Sequence, residues 1–264
     1  NVSLMPNFNS YAMFLYQNQG QLYSEDGSRT ALDSKTNLDA FHYFMRLFTD
    51  YNEMFKACPE LDAVSVCTWN NAHVPAGLAA VNAGCHVFCE KPMAMSAKEA
   101  EELKAAAEKN NKVLGLGFVR RFGDDAALAR EMAENGMLGD IYYAKAEYLR
   151  RNGNPGGWFA DSRRSGGGPM IDLGVHVIDL VRYIAGCPKP VSVYGATFKK
   201  LGDRNELKDK KAYFLGDIAG ERESSVCDVE DLATAMIRFD NGLVLSVETS
   251  YSLNLENDSG RLEI

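Results

Sequence analysis

Three polar residues, Asp172, His176 and Asp179, lie four and three positions apart within an otherwise apolar segment, residues 169–185. This spacing predicts a helix that ends before Gly186 and carries all three side chains on one stripe. A buried carboxylate or imidazole costs free energy unless partners compensate it. The stripe is therefore either a satisfied Asp–His pair of the core or a catalytic pair, and the residues alone leave both interpretations open.

Two further polar clusters follow short apolar strands. Residues 63–67 and 86–89 are predicted strands, and the Ala-rich residues 74–83 between them predict a crossover helix. Together they form a βαβ unit of a parallel sheet, whose ligands bind at the carboxyl ends of the strands. Those ends carry residues 68–73 and Glu90-Lys91-Pro92. We expect the active site there.

The remaining pattern predicts two kinds of sheet. A capping box at Ser96 begins a helix that runs to about Asn110, a strand is expected at residues 112–119, and a helix at 124–134 leads into a second domain. The strands predicted there are 141–149, 191–198, 233–239 and 243–251, and residues 201–230 are expected to form a surface excursion. The predicted fold class is α/β plus α+β: an incomplete Rossmann-type parallel sheet followed by an open, mostly antiparallel sheet.

The overall composition excludes several classes of protein. The 264 residues are 46% hydrophobic and 24% charged, with a net charge of -8. An acidic chain disfavours a nucleic-acid partner or an anionic membrane surface, and no apolar run approaches the roughly 20 residues of a membrane helix. The six cysteines form no C-x-x-C pair. We expect free thiols in a reducing compartment, and no metal site.

The first fifty residues differ in character from the rest. They contain the phrase FLYQNQGQLYSEDGSRTALDS, followed by an amphipathic pattern at 38–48. This segment resembles part of the extracytoplasmic sugar-binding proteins of bacterial ABC importers. We therefore expect a junction of two unrelated coding sequences near residues 49–52, with a natural fusion or an unusual N-terminal extension as alternatives. Both ends of the chain are expected to be cut, because the first residue is Asn and Ile264 falls within a strand pattern.

Three motifs in the later residues carry a second resemblance. Cys67-Thr-Trp-Asn-Asn-Ala-His73 is similar to a C-T-P-N-x-x-H pattern with Trp69 in place of proline, and Glu90-Lys91-Pro92 matches E-K-P. Residues 167–179 match G-G-x-x-x-D-x-G-x-H-x-x-D in full. From about residue 52 onward the chain resembles the Gfo/Idh/MocA family of NAD(P)-dependent oxidoreductases.

The resemblance implies a set of site residues and three domains. Lys91, Asp172 and His176 would be the catalytic group. The expected cofactor contacts are Thr68, Asn70, His73, Glu90 and Lys91, and the expected substrate contacts are Arg121, Trp158, Asp172 and His176. Residues 1–50 would be the foreign segment, 51–122 a partial dinucleotide-binding domain, and 123–264 a substrate-binding and oligomerisation domain.

Two departures from the family pattern are visible. Trp158-Phe159 stands where the family often has a W-R pair, so an expected arginine contact is missing. The sequence also contains no G-x-G-x-x-G phosphate loop, although Gly115-x-Gly117 matches the first part of this motif. We expect this chain to bind a dinucleotide weakly and to be inactive.

The implied reaction is hydride transfer between NAD or NADP and a hydroxyl of a sugar or polyol. Such a reaction needs a general base beside the carbinol, a role that suits His176. Asp172 could orient the imidazole or hold a neighbouring hydroxyl, and Lys91 could stabilise alkoxide charge. The implied protein is cytoplasmic and forms a homo-oligomer, a dimer or tetramer. The alternatives are an importer-type sugar-binding protein and a family member that has lost catalysis.

Overall fold

The computed structural model describes residues 50–151, 155, 157–200 and 226–264. The segment that resembles importer proteins and most of the predicted surface excursion lie outside these residues. The chain divides into two compact units that interleave along the sequence. The first includes residues 50–66, 75–88 and 102–115, and the second comprises 67–74, 89–101 and 116–264. The polar segments after the first two strands thus group with the second unit, whereas the sequence placed a domain boundary after residue 122.

The first sheet is parallel and has three strands, as the sequence predicts. Its strands are β1 (Ala63–Val66), β2 (His86–Cys89) and β3 (Leu114–Leu116), in that order, after a short helix α1 (Tyr51–Ala57). The third strand is shorter than the predicted 112–119. After Leu116 the chain bends, because the amide of Val119 donates to the carbonyl of Gly117 at 2.9 Å and a 3₁₀ turn, Val119–Phe122, begins.

Two helices follow β1 and β2. They are α2 (His73–Asn82), preceded by a 3₁₀ turn at Asn70–Ala72, and α3 (Ala97–Lys109). Half of the predicted capping box forms at the start of α3: Ser96 Oγ accepts from the amide of Glu99 at 3.3 Å, while the Glu99 carboxylate accepts from the Ser96 hydroxyl at 3.1 Å rather than from its backbone amide. Ala80 and Val81 of α2 and Leu103 of α3 are fully buried.

The second sheet has five strands and one parallel pairing. Its strands are β4 (Tyr143–Leu149), β5 (Pro190–Phe198), β6 (Leu232–Phe239), β7 (Val244–Ser250) and β8 (Ser259–Glu263), in the order β5-β6-β7-β4-β8. The β4–β7 pair is parallel and the other pairs are antiparallel, so the predicted mostly antiparallel character is confirmed. β4 lies between β7 and the edge strand β8, and its Ala144 and Ala146, both fully buried, belong to the core cluster in which a helix packs on the sheet.

That helix belongs to the motif-rich segment. The predicted single helix over 169–185 consists of a π-helical turn, Met170–Gly174, followed by α6 (Val175–Ile184). Val177 and Val181 of α6 pack on one face of the sheet. The remaining helices of this unit are α4 (Asp124–Glu134) and the single turn α5 (Ser162–Ser165). Among the described residues, no helix has the length and apolar character needed to cross a membrane.

Candidate active site

The turn that carries Asp172 is held by a glutamate. Glu230, just before β6, accepts hydrogen bonds from the amides of Gly168 at 2.8 Å and Met170 at 3.3 Å. These amides belong to the unsatisfied donors at the beginning of a helix, where a carboxylate is a favourable partner. A Cβ on Gly168 would lie 2.1 Å from the carbonyl oxygen of Glu230, so only glycine fits at this position without a backbone shift. Glu230 was not predicted, since it falls in a stretch without a clear period.

Lys91 and Asp172 form a shielded ion pair. Lys91 Nζ lies 2.7 Å from Asp172 Oδ1 and also donates to the main-chain oxygen of Asp172 at 2.9 Å. Both side chains are less than one-fifth exposed. The other carboxylate oxygen, Oδ2, accepts from the hydroxyl of Tyr251 at 3.1 Å. The lysine of the E-K-P motif and the aspartate of the glycine motif are therefore brought together, as the sequence predicts.

His176 lies at the first turn of α6 and is held in its neutral form. Burial, followed by the positive charges of Lys91 and Arg120, lowers the pKa of His176 to about 4. Its Nδ1 atom is buried and has no hydrogen-bond partner among the described residues. A neutral imidazole can accept a proton, which is the state required of a general base at neutral pH.

The expectation that Asp172 orients the His176 imidazole is not met. Both carboxylate oxygens of Asp172 already have partners, Lys91 on one and Tyr251 on the other. The physical reason is the π-helical turn, which ends at Gly174 and interrupts the regular i, i+4 stripe between the two residues. A Cβ on Gly174 would lie 2.6 Å from Met170 Sδ, so glycine accommodates this tighter packing.

Two of the predicted cofactor residues form hydrogen bonds that hold the loop after β1 in place. His73 is fully buried, with Nδ1 2.7 Å from the carbonyl oxygen of Pro92 and Nε2 3.1 Å from that of Thr68. Asn70 is also buried, and its amide donates to the carbonyl of Ser165 at 2.7 Å. The structure thus gives both side chains structural partners. For His73, whose ring nitrogens both face carbonyl groups, it leaves no ring atom for a cofactor.

Thr68 and Glu90 are more open than His73 and Asn70. Thr68 is exposed at the end of β1, and Glu90 is half-buried at the end of β2. A Cβ on Gly117 would lie 3.0 Å from the Glu90 carboxylate, so the glycine leaves room for that side chain. These two residues, together with Asn70 and Lys91, stay predicted contacts for a dinucleotide.

Arg121, predicted to contact substrate, is engaged by Asp179. Its guanidinium donates twice to that carboxylate, at 2.7 Å and 2.5 Å, and stacks over the rings of Phe118 and Tyr183. The hydrogen bond to Asp179 raises the pKa of Arg121. Asp179, the third residue of the predicted polar stripe, therefore links α6 to the turn after β3 through this ion pair. The substrate role of Arg121 stays a prediction.

The two tryptophans have different surroundings. Trp158 is half-buried and stacks on Phe159, with ring centroids 3.9 Å apart. Phe159 stands at the position at which the family pattern has an arginine. Trp69, which replaces the motif proline, is 46% exposed, and the guanidinium of Arg164 lies 4.4 Å from its ring centroid. The substrate contact assigned to Trp158 stays a prediction.

Family comparisons agree with the motifs. Residues 126–264 match the GFO/IDH/MocA C-terminal domain, and residues 25–118 match the oxidoreductase family with an NAD-binding Rossmann fold. The chain belongs to the Gfo/Idh/MocA oxidoreductase family. The Rossmann match begins upstream of the junction expected near residue 50, and these comparisons do not show the importer resemblance.

Relatives of this family member include sugar dehydrogenases. It is 41% identical over 199 residues to D-glucoside 3-dehydrogenase of Escherichia coli, covering 75% of this chain and 54% of that protein. It is 31% identical over 211 residues to levoglucosan dehydrogenase of Pseudarthrobacter phenanthrenivorans, covering 78% and 53%. The chain spans about half the length of the curated relatives it matches.

A solved structure supports the same fold. Levoglucosan dehydrogenase in complex with NADH and levoglucosan has a TM-score of 0.67 and 27% identity to this chain, and the match covers 81% of this chain and 54% of that one. The predicted combination of a Rossmann-type sheet with a second, mixed sheet is therefore confirmed.

Proposed function

We propose that the protein containing this chain oxidises a hydroxyl of a sugar or polyol with NAD or NADP, in the cytoplasm. The observation that carries the proposal is a neutral, half-buried His176 beside the Lys91–Asp172 ion pair. The sugar dehydrogenases among its relatives support the substrate class.

The proposed chemistry divides between two side chains. NAD or NADP, when bound, supplies the hydride acceptor. His176 accepts the proton of the substrate hydroxyl, and Lys91 stabilises the negative charge that develops on its oxygen. A pKa near 4 makes the free imidazole a weak base. The developing alkoxide charge counteracts Lys91 and raises the affinity of the imidazole for the proton.

The described residues fit the nicotinamide side of this cofactor only in part. The exposed hydroxyl of Thr68 and the carboxylate of Glu90 stand at the ends of adjacent parallel strands, where dinucleotides bind. His73 is closed off by two carbonyl groups. We propose Thr68, Glu90 and Lys91 as the residues that hold the nicotinamide end.

The test is kinetic and uses the chain supplied with a complete dinucleotide-binding domain. His176→Ala or Lys91→Ala should lower kcat for glucoside oxidation by at least about 100-fold, the usual scale for a positioned acid or base. Lys104→Ala, an exposed lysine on α3, is the matched control and should change little. Rates within a few fold of the parent in both site variants would contradict the assignment and favour a non-catalytic member.

A further inference from the structure

Tyr251 occupies an unusual position for a tyrosine. It directly follows β7, is fully buried, and is among the largest side chains with no exposed surface. Its amide donates to the carbonyl of Asp231 at 3.0 Å, which anchors its backbone to the neighbouring strand. Its hydroxyl donates to Asp172 Oδ2. A phenylalanine would bury more favourably here, so the hydroxyl needs an explanation.

The hydroxyl completes a chain of three groups. Asp172 uses Oδ2 for Tyr251 and Oδ1 for Lys91, while Lys91 is also held by the main-chain oxygen of Asp172. Rotation of the carboxylate would break both side-chain contacts together. Burial and the adjacent carboxylate raise the pKa of Tyr251, so the phenol keeps its proton and remains a donor.

We propose that Tyr251 is a positioning residue for Lys91 and acts through the Asp172 carboxylate. Its meaning for catalysis rests on the proposed function, but the arrangement itself does not. With Oδ2 held by Tyr251 and Oδ1 by Lys91, the Asp172 carboxylate is oriented toward the lysine and makes no hydrogen bond to His176.

The position of Lys91 can be measured without substrate or cofactor. In competitive labelling of the 264-residue chain with trace acetic anhydride, each lysine reacts through its unprotonated amine, at a rate set by that unprotonated fraction, by its access and by its hydrogen bonds. Mass spectrometry gives the labelling of Lys91 relative to the exposed Lys98 as internal reference. Tyr251→Phe should raise this ratio several-fold, because losing one hydrogen bond of about 1 kcal/mol corresponds to about fivefold in population.

Two further variants separate positioning from general loosening. Tyr183→Phe removes a tyrosine hydroxyl from α6 of the same unit and should leave the ratio unchanged. Asp172→Asn should itself raise the ratio, and adding Tyr251→Phe to it should have no further effect, since the tyrosine acts through that carboxylate.

The proposal is overturned if Tyr251→Phe leaves the ratio unchanged, or raises it equally in the Asp172→Asn background. If Tyr251→Phe shows no cooperative unfolding transition, Asp172→Asn decides: unchanged Lys91 labelling in that variant overturns the proposal. The labelling experiment contains no sugar or dinucleotide. An absence of dehydrogenase activity would therefore contradict the proposed function without changing the labelling result for Lys91.

Discussion

At the scale of single residues, surroundings decide what each ionisable group can do. His176 and Lys91 share a site, yet the lysine has a carboxylate partner while the histidine has none among the described residues. Burial and the nearby positive charges therefore outweigh the opposing effect of the Asp172 charge on the pKa of His176 and favour the neutral imidazole. The lysine instead forms an ion pair with Asp172 that is shielded from solvent.

We predict that His176 titrates with a midpoint near pH 4, well below an ordinary histidine. The chain contains four histidines, so a ¹H–¹⁵N NMR titration resolves each ring, and the His176→Gln spectrum assigns the signal. Lys91→Met should raise the midpoint, because a nearby positive charge is removed. A midpoint near 6.5 in the parent would contradict the burial of this ring.

The same depressed pKa makes folding sensitive to acid. Between pH 6.5 and 4 the unfolded chain binds a proton at His176 that the folded chain does not. The stabilising contribution is complete above pH 6.5 and is lost as the pH falls through the folded pKa. Urea unfolding of His176→Gln should accordingly lose less stability over this interval than the parent.

At the scale of elements, the π-helical turn depends on close backbone contact. The segment between Gly168 and Gly174 is pressed against Glu230 and β7, and its geometry sets where Asp172 and Lys91 meet. Strand and helix periodicity do not contain this information, because the contact joins residues more than sixty positions apart.

We predict that Gly168→Ala destabilises the fold by about 1–3 kcal/mol, the usual cost of inserting a methyl group where the backbone must shift. The added Cβ would overlap the main-chain oxygen of Glu230. Gly260→Ala on β8 is the control, since its Cβ meets no atom within 4 Å, and it should be neutral or slightly stabilising. Urea unfolding measures both, and equal stability of the two variants would refute the tight contact.

At the scale of the whole molecule, the second sheet is covered on one face only within the described residues. Val177 and Val181 of α6 pack against the face that includes Ile237. On the opposite face, Tyr194 pairs with Met236, and these side chains are 80% and 51% exposed. Exposed aromatic and methionine side chains on an open sheet favour a protein partner.

We propose that this face mediates self-association into a homo-oligomer. Met236→Glu should shift the sedimentation coefficient toward that of a monomer at micromolar concentration, because the new charge would have to be buried. Leu128→Glu on α4, also an exposed apolar residue, is the control and should leave the assembly unchanged. A parent chain that sediments as a monomer would count against the proposal.

We also propose that the 264-residue chain binds NADH and NADPH weakly, with dissociation constants well above micromolar. Its sequence contains no G-x-G-x-x-G turn, and backbone amides at such a turn hold the pyrophosphate. Micromolar affinity corresponds to about -8 kcal/mol, more than contacts at the nicotinamide end alone provide. Calorimetric titration tests this expectation. Micromolar binding of either dinucleotide would show that the residues before 51 supply a phosphate site.

The sequence by itself determined the local features of this protein. The α2, α3 and α4 helices and the strand segments follow from periodicity and capping, which act over short distances. The grouping of Lys91 with Asp172 was implied by the family resemblance of their motifs. The mostly antiparallel second sheet was likewise predictable from its alternating strands.

Only the tertiary structure decided which polar side chains from distant segments bind to one another. Tyr251 and Glu230 contact the site from positions beside β7 and β6, far along the chain. Asp179 forms an ion pair with Arg121, and the His73 ring is hydrogen-bonded to a backbone carbonyl group. The place of β4 between β7 and β8 also depends on a parallel pairing that the order of strands along the chain does not reveal. Such choices depend on which polar groups become buried together, and burial is a property of the folded chain rather than of any local stretch.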